Sequence, residues 1–406
     1  MEPLPETDSP AGLILTVGLS PEPISYSIRS ISPEFIALLG TESSLKHFEK
    51  IRDQISRPSG RVRTYVVSDS ESADTVRKIG LIVEDWFRRG VTREHIVVDS
   101  TGGTKPMTGG AMMAAAFYGL RNVYVNVERD PQTGKILADT MKIIELTDPH
   151  EILGYVEAKI ALHQMNSHNY HTAASMLKEL SGRTSDFRLR DLWESYRRLA
   201  EALELWDRFD FSKARKALQE LESAFLRHAK EGRQSVYAKM SEEIGERLVV
   251  LDELAKEGPS QLKLFELFSN ANRRMRQGRY DDSCARTYRC LEAIAQHVLT
   301  VEFGLTQPEI GKIGGLEKCY VELSSRGHPL GIKFSRIRDK FTGLLTLRNN
   351  SILAHGWQPI GEEGTRSILG VAEEFLREYC RGIGVDFDLE LSKVQHPLVE
   401  MPPSNI

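Results

Sequence analysis

Two short stretches of this sequence hold residue types that could do chemistry. The first is Arg348-Asn349-Asn350-Ser351-Ile352-Leu353-Ala354-His355. Its arginine and histidine stand seven residues apart, two turns of an α-helix, so on one helix both would project from the same face. A histidine shuttles protons near neutral pH, and an arginine braces the charge that builds on a phosphate. Together they suffice for metal-free RNA cleavage, in which the ribose 2′-OH attacks its own phosphate. Asn349, beside the arginine, would orient the substrate or the histidine. A comparable spacing occurs from Arg88 and Arg89 to His95, but there a helix is expected to end and a strand to begin, so no helical face would be shared.

The second stretch is Val97-Val98-Asp99-Ser100-Thr101-Gly102-Gly103-Thr104-Lys105-Pro106-Met107. It leaves an apolar run, turns through glycines and hydroxyls, and enters a helical pattern. Paired glycines let a backbone approach a ligand closely, and a helix N-terminus presents free N–H groups to negative charge. Thr101 and Thr104 add hydroxyls, Lys105 adds a cation, and Pro106 suits the first helical turn. The GxxxxGK and GxGxxG phosphate fingerprints are both missing, so an anionic ligand is implied without being identified. A plain structural turn would need the glycines but neither threonine nor the lysine.

The elements that must position these residues follow from periodicity. Residues 13–17, 35–39, 63–67, 95–99 and 123–127 are apolar runs read as buried strands, and 44–55, 73–89 and 105–118 are amphipathic. Strand–helix alternation predicts a Rossmann-like α/β domain over 12–148, after a disordered leader over 1–11. The segment from Arg129 to Lys135 has turn chemistry, so 136–146 is expected to pair back as a hairpin. After Pro149 strand signals stop, and 149–258 reads as a helical linker. Within it an aromatic-x-x-Ala-x-x-x-Leu-x-x-Leu pattern occurs at Tyr170, Ala173, Leu177 and Leu180, and again at Phe211, Ala214, Leu218 and Leu221. That echo fits a repeat of helical hairpins or ordinary helix packing. Helices at 261–276, 280–301, 313–325, 334–355 and 363–382 predict an all-α domain over 259–384, and 385–406 reads as an extended tail.

Composition narrows the function classes. The chain has 406 residues, 40% hydrophobic and 27% charged, enough for two or three soluble domains. Its net charge of −4 argues against coating duplex nucleic acid, so no stable duplex DNA binding is expected. No membrane span or signal peptide is read, which predicts a cytoplasmic protein. Cys284, Cys290, Cys319 and Cys380 form no CxxC pair and are expected to be reduced, buried thiols rather than metal ligands.

STGGTKPM after an apolar strand resembles the ligand-binding signature of CARF domains, the sensors of type III CRISPR ancillary nucleases. Thr16-Val17-Gly18-Leu19-Ser20-Pro21 looks like their other ligand loop. This resemblance implies a homodimer binding a cyclic oligoadenylate through Gly18, Ser20, Thr101, Gly102, Gly103, Thr104, Lys105 and Met107. Tetra-adenylate is expected, as the commoner activator in the family. RNxxxxxH in a helical setting resembles the HEPN ribonuclease motif, and Tyr280 to Glu292 resembles that family's leading core helix. The two resemblances together imply a ligand-activated, metal-independent endoribonuclease acting on single-stranded RNA in antiviral defence. Arg348, Asn349 and His355 would be catalytic, with no cofactor for catalysis, leaving a 2′,3′-cyclic phosphate or 3′-phosphate. A metal-dependent DNA nuclease would need clustered carboxylates with a lysine, which Asp386-Phe387-Asp388-Leu389-Glu390 lacks. A ligand-responsive dimeric regulator with a non-catalytic HEPN-like domain stays open, as does slow cleavage of the ligand by the sensor with help from Thr101 or Ser20.

Overall fold

Gly12–Thr16 (β1), Phe35–Gly40 (β2) and Ile96–Asp99 (β4) are almost wholly apolar because both faces of their sheet are covered. With Val62–Val66 (β3), Arg121–Asn126 (β5) and Lys142–Leu146 (β6) they form one six-stranded sheet in the order β3-β2-β1-β4-β5-β6. The first five strands run parallel and β6 is antiparallel. The computed structural model describes residues 11–49, 62–147, 153–230, 235–351 and 356–400. Up to residue 10, the expected leader lies outside them.

The chain divides into two compact units, Met1–Ile152 and Leu153–Ile406. In the first, Pro21–Ile31 (α1) and Glu42–Glu49 (α2) cover one sheet face through Ile24, Ile28, Leu45 and Phe48. Ser72–Arg88 (α3) and Lys105–Tyr118 (α4) cover the other, with Ile79, Val83, Met107 and Ala111 in the core. The order reverses between β1 and β4, so the crevice outside their carboxyl ends is the place where a doubly wound sheet binds ligands. The β5–β6 ladder starts only at Lys142; Ile136 contributes an isolated bridge to Arg129.

The second unit is helical. Tyr155–Asn166 (α5), Tyr170–Arg183 (α6), Phe187–Asp207 (α7), Phe211–Lys230 (α8) and Ser235–Leu254 (α9) lead into Gln261–Arg276 (α10) and Tyr280–Val301 (α11). The echoed residues of α6 and α8 are all buried in one core. Each copy follows the same turn. His168 and Phe209 adopt left-handed backbone (φ 63° and 64°), and Asn169 and Asp210 donate to carbonyls five residues back. A third copy joins α10 to α11, with Gly278 at φ 71° and Arg279 donating to Arg274. There Ser283 replaces the alanine, buried and donating to the Ala271 carbonyl. Buried charges tie α7 to α10: Arg273 meets Asp207 at 2.8 Å and Glu266 at 2.5 Å, and Asn270 Nδ2 donates to Asp207 at 2.9 Å.

Gln307–Ile313 (α12), Leu316–Ser325 (α13), Pro329–Arg336 (α14), Arg338–Asn349 (α15), Glu362–Ile383 (α16) and Phe387–Lys393 (α17) complete the unit. The four cysteines are buried and reduced, and burial pushes the thiols of Cys284 and Cys290 up to about 12. Two expectations are corrected. The helix read over 334–355 is two helices, divided at Ile337 and ended at Asn349. The tail read as extended over 385–406 begins with a helix, because Asp386 caps it by accepting from Leu389 N–H at 2.7 Å and Phe387 packs on Phe265 and Phe268. Beyond it Val394, His396 and Val399 are buried, and Val399 exchanges two 2.9 Å hydrogen bonds with Asn166. No helix among the described residues is long and apolar enough to cross a membrane.

Candidate functional site

The two loops singled out in the first unit are brought into backbone contact. A Cβ on Gly102 would lie 2.3 Å from the Thr16 carbonyl, and one on Gly18 would lie 2.9 Å from Gly103 N. Only glycines allow that approach, and Gly103 also takes a left-handed φ of 86°. Ser20 extends from β1 as the N-cap of α1, and its hydroxyl makes no capping bond.

Most turn side chains are committed to holding the turn. Asp99 ends β4 nearly buried; its carboxylate accepts from the Ser27 hydroxyl, from the Thr101 hydroxyl, and from Thr101 N–H at 2.8 Å. Burial pushes that carboxyl above its ordinary value, against those hydrogen bonds. Thr101 Oγ1 also accepts from Val125 N–H at 2.7 Å, so its hydroxyl stitches the turn to β5. Thr104 caps α4 and donates to the Asp69 carbonyl at 2.7 Å. Thr108 donates to Gly102 O at 2.9 Å, and Met107 is fully buried beneath Gly103. The parts left facing outward are the exposed Lys105, the Ser20 hydroxyl, and the N–H groups of Gly103, Thr104 and Lys105, which have no acceptor among the described residues. A cation, a hydroxyl and open donors at a helix N-terminus are groups that can hold an anion. Asp99, Ser27 and Asp69 were missed by sequence reasoning, since only the folded turn shows what they hold.

In the second unit, Arg348 sits in the last turn of α15. Its guanidinium lies 4.6 Å from the centroid of the Tyr288 ring on α11, and Nη1 donates to Asn349 Oδ1 at 2.9 Å. Burial raises the Tyr288 phenol above its ordinary value, aided by Glu292 and opposed by Arg348. Asn350 caps the helix, and Ser351 donates to the Arg348 carbonyl at 3.0 Å before bridging to Gln358. The seven-residue spacing is therefore not two turns of one helix. At Asn350 and Ser351 the backbone leaves the helix for a turn, Ser351 N–H donating three residues back and the Asn350 and Ser351 carbonyls accepting from the returning chain. His355 lies outside the described residues. The returning chain is pinned by Gly356 N–H to Ser351 O at 3.1 Å, Gln358 N–H to Asn350 O at 3.2 Å, and Ile360 N–H to the Asp281 carboxylate at 3.3 Å. Tyr288 and Asp281, neither singled out from the sequence, thus seat the arginine and its loop.

Two family models match the helical unit. One described as the Csm6 6H domain covers residues 153–244, and one described as the Csm6 HEPN domain covers 253–318 and 305–379. The HEPN match contains Arg348, Asn349 and His355. A curated relative, the CRISPR system endoribonuclease Csm6 of Thermus thermophilus, is 27% identical over 212 residues, or 51% of this chain and 43% of the relative. The match therefore spans less than half of that relative's length. Among solved structures, Csm6 from Enterococcus italicus bound to cyclic hexa-2′-fluoro-hexa-dAMP is 12% identical with a TM-score of 0.45, covering 95% of this chain and 97% of that one. Can2 from Sulfobacillus thermosulfidooxidans in complex with cyclic tetra-adenylate is 19% identical with a TM-score of 0.26, covering 42% and 51%.

Proposed function

The chain belongs to the Csm6 family, and on that premise we propose that it is a cyclic-oligoadenylate-activated, metal-independent endoribonuclease of type III CRISPR defence, cutting single-stranded RNA in the cytoplasm. The observation that carries the reading is the combination, in one chain, of two joined glycine loops at the turning point of the sheet with an Arg–Asn pair inside the HEPN match. The sensor would be a Rossmann-like CARF domain over 12–148, followed by a helical linker over 149–258 and the nuclease over 259–384.

In this reading the open N–H groups, Ser20 and Lys105 hold ligand phosphates, and the glycines let the ring approach the backbone. Met112, Met113 and Phe117 leave an apolar stripe exposed on α4, which supports a homodimer. His355 would take the ribose 2′-OH proton and return one to the leaving 5′-oxygen, while Arg348 braces the charged phosphorane. The products would end in a 2′,3′-cyclic phosphate or 3′-phosphate.

The test is cleavage of a fluorescent single-stranded RNA reporter in EDTA, with cyclic tri-, tetra- and hexa-adenylate added separately. Activation is expected and is expected to be strongest with the tetra-adenylate. His355→Ala should reduce cleavage by at least about 100-fold and leave ring binding intact. Ring binding without RNA cleavage by the parent chain would leave a ligand-responsive regulator instead.

A further inference from the structure

The chain has four tryptophans. Trp86, Trp193 and Trp206 are buried, at 4%, 0% and 0% exposure, whereas Trp357 is 89% exposed. An indole turned almost entirely to water has a large apolar face, and this one has no ring partner among the described residues. The backbone that carries it is held by its neighbours all the same. Gly356 packs so tightly on the Asn350 backbone that a Cβ there would lie 1.9 Å from the Asn350 carbonyl, and Gln358 N–H donates to that same oxygen. Ile360, buried, anchors the far side through Asp281. The indole therefore stands on a rigid backbone frame, next to the helix end that carries Arg348 and Asn349.

We propose that Trp357 is the platform on which a base of the single-stranded RNA stacks, beside the phosphate that Arg348 would brace. This rests on the endoribonuclease reading above. Single-stranded RNA is gripped where cations for the backbone stand beside aromatic faces for the bases, since every base has a π-face to stack. A platform held by backbone contacts gives up little conformational freedom when the base arrives. The residues around it favour RNA over a second copy of the chain. Asn349, Asn350 and Gln358, exposed beside it, offer hydrogen-bonding groups to a nucleotide, and of the described exposed residues next to it in the chain only Pro359 is apolar.

The distribution of tryptophans supplies the measurement. Because the other three are buried, quenching of indole emission by a short, non-cleavable 2′-O-methyl oligoribonucleotide reads Trp357 almost alone. Binding is expected to quench the parent chain and to leave Trp357→Ala unquenched. In the ring-activated reporter assay, Trp357→Ala should raise KM about tenfold, or about 1.4 kcal/mol, with kcat nearly unchanged, and Trp357→Phe should recover most of the loss. Unchanged KM and quenching, while the parent chain cleaves RNA normally, would overturn the stacking role. So would a shift of Trp357→Ala from dimer to monomer in light scattering, which would assign the indole to an interface between copies. If the parent chain neither cleaves the reporter nor binds the oligonucleotide, the endoribonuclease reading falls, and the platform with it.

Discussion

The turn from Asp99 to Lys105 and the loop from Asn349 to Ile360 are built in opposite ways. In the turn, side chains make the scaffold: Asp99, Thr101, Thr104 and Thr108 spend their polar atoms on one another and on nearby backbone. The backbone is what faces outward. In the loop, backbone N–H groups make most of the scaffold, those of Gly356 and Gln358 donating to carbonyls and that of Ile360 to the Asp281 carboxylate, and the side chains of Asn349, Asn350 and Trp357 are exposed to solvent beside Arg348. The difference fits the two tasks proposed for them. Holding anions asks for fixed N–H donors that any phosphate can use. Cutting RNA asks for particular side chains at particular places, so their backbone has to be held and their functional ends left open.

The contrast breaks first, and with the largest effect, at Gly356. Gly356→Ala places a methyl group against the Asn350 carbonyl, so the loop must shift and carry the end of α15 with it. Cleavage is expected to fall about 100-fold, the effect of misplacing a reacting group by an ångström, while ring affinity stays as it was. Equal activity in the variant would mean that the loop backbone does not set the Arg348 geometry.

The second test asks whether Thr101 is scaffold or ligand contact. Thr101→Val leaves Val125 N–H and the buried Asp99 carboxylate each short of a partner. The expected loss is about 2–3 kcal/mol of stability, read as a lower unfolding temperature. Lys105→Ala should do the reverse, lowering ring affinity about tenfold, or about 1.4 kcal/mol, in a salt-dependent way with no change in unfolding. If Thr101→Val weakened ring binding and left unfolding untouched, the hydroxyl would belong to the ligand and not to the turn.

The same contrast explains what could be read from the sequence. The central parallel strands were legible because burial on both faces makes them continuous apolar runs, as in Leu13–Leu15 and Ile96–Val98. The glycine turn was legible because its special backbone needs local residue types. Its junction with Gly18 was not, because that contact joins residues far apart in the chain. In the helical unit the spacing from Arg348 to His355 suggested one helical face, yet the signal for a stop was present in Asn350-Ser351 and in Pro359. The third hairpin was hidden by Ser283, Thr287 and Cys290 in place of the alanine and both leucines, and the tail helix by its shortness, although Asp386 ahead of Phe387 is an ordinary start signal.

The smallest expected effect separates the two units by pH. His168 and His396 flank the Tyr170 hydroxyl, with Nδ1 atoms 2.9 and 2.6 Å from it. Burial, with Arg273 and Arg276 nearby and Asp207 opposing, lowers His168 from 6.5 to about 4. Burial, with Arg273, His168 and Arg247, holds His396 well below 6.5. From pH 6.5 downward the unfolded chain takes up protons that these two folded histidines do not, so what they contribute to stability falls as pH falls. Asp99 acts in the opposite sense, because its folded carboxyl is raised and acid does not cost the sheet unit stability there. Between pH 7 and 5 these two histidines destabilise the helical unit, while Glu266, whose buried carboxyl is raised to about 7, offsets part of that loss. Thermal unfolding followed by helical circular dichroism checks this, and His396→Gln should flatten the slope. An undiminished slope in that variant would move the acid sensitivity away from the Tyr170 cluster, leaving the two units alike in their response to pH.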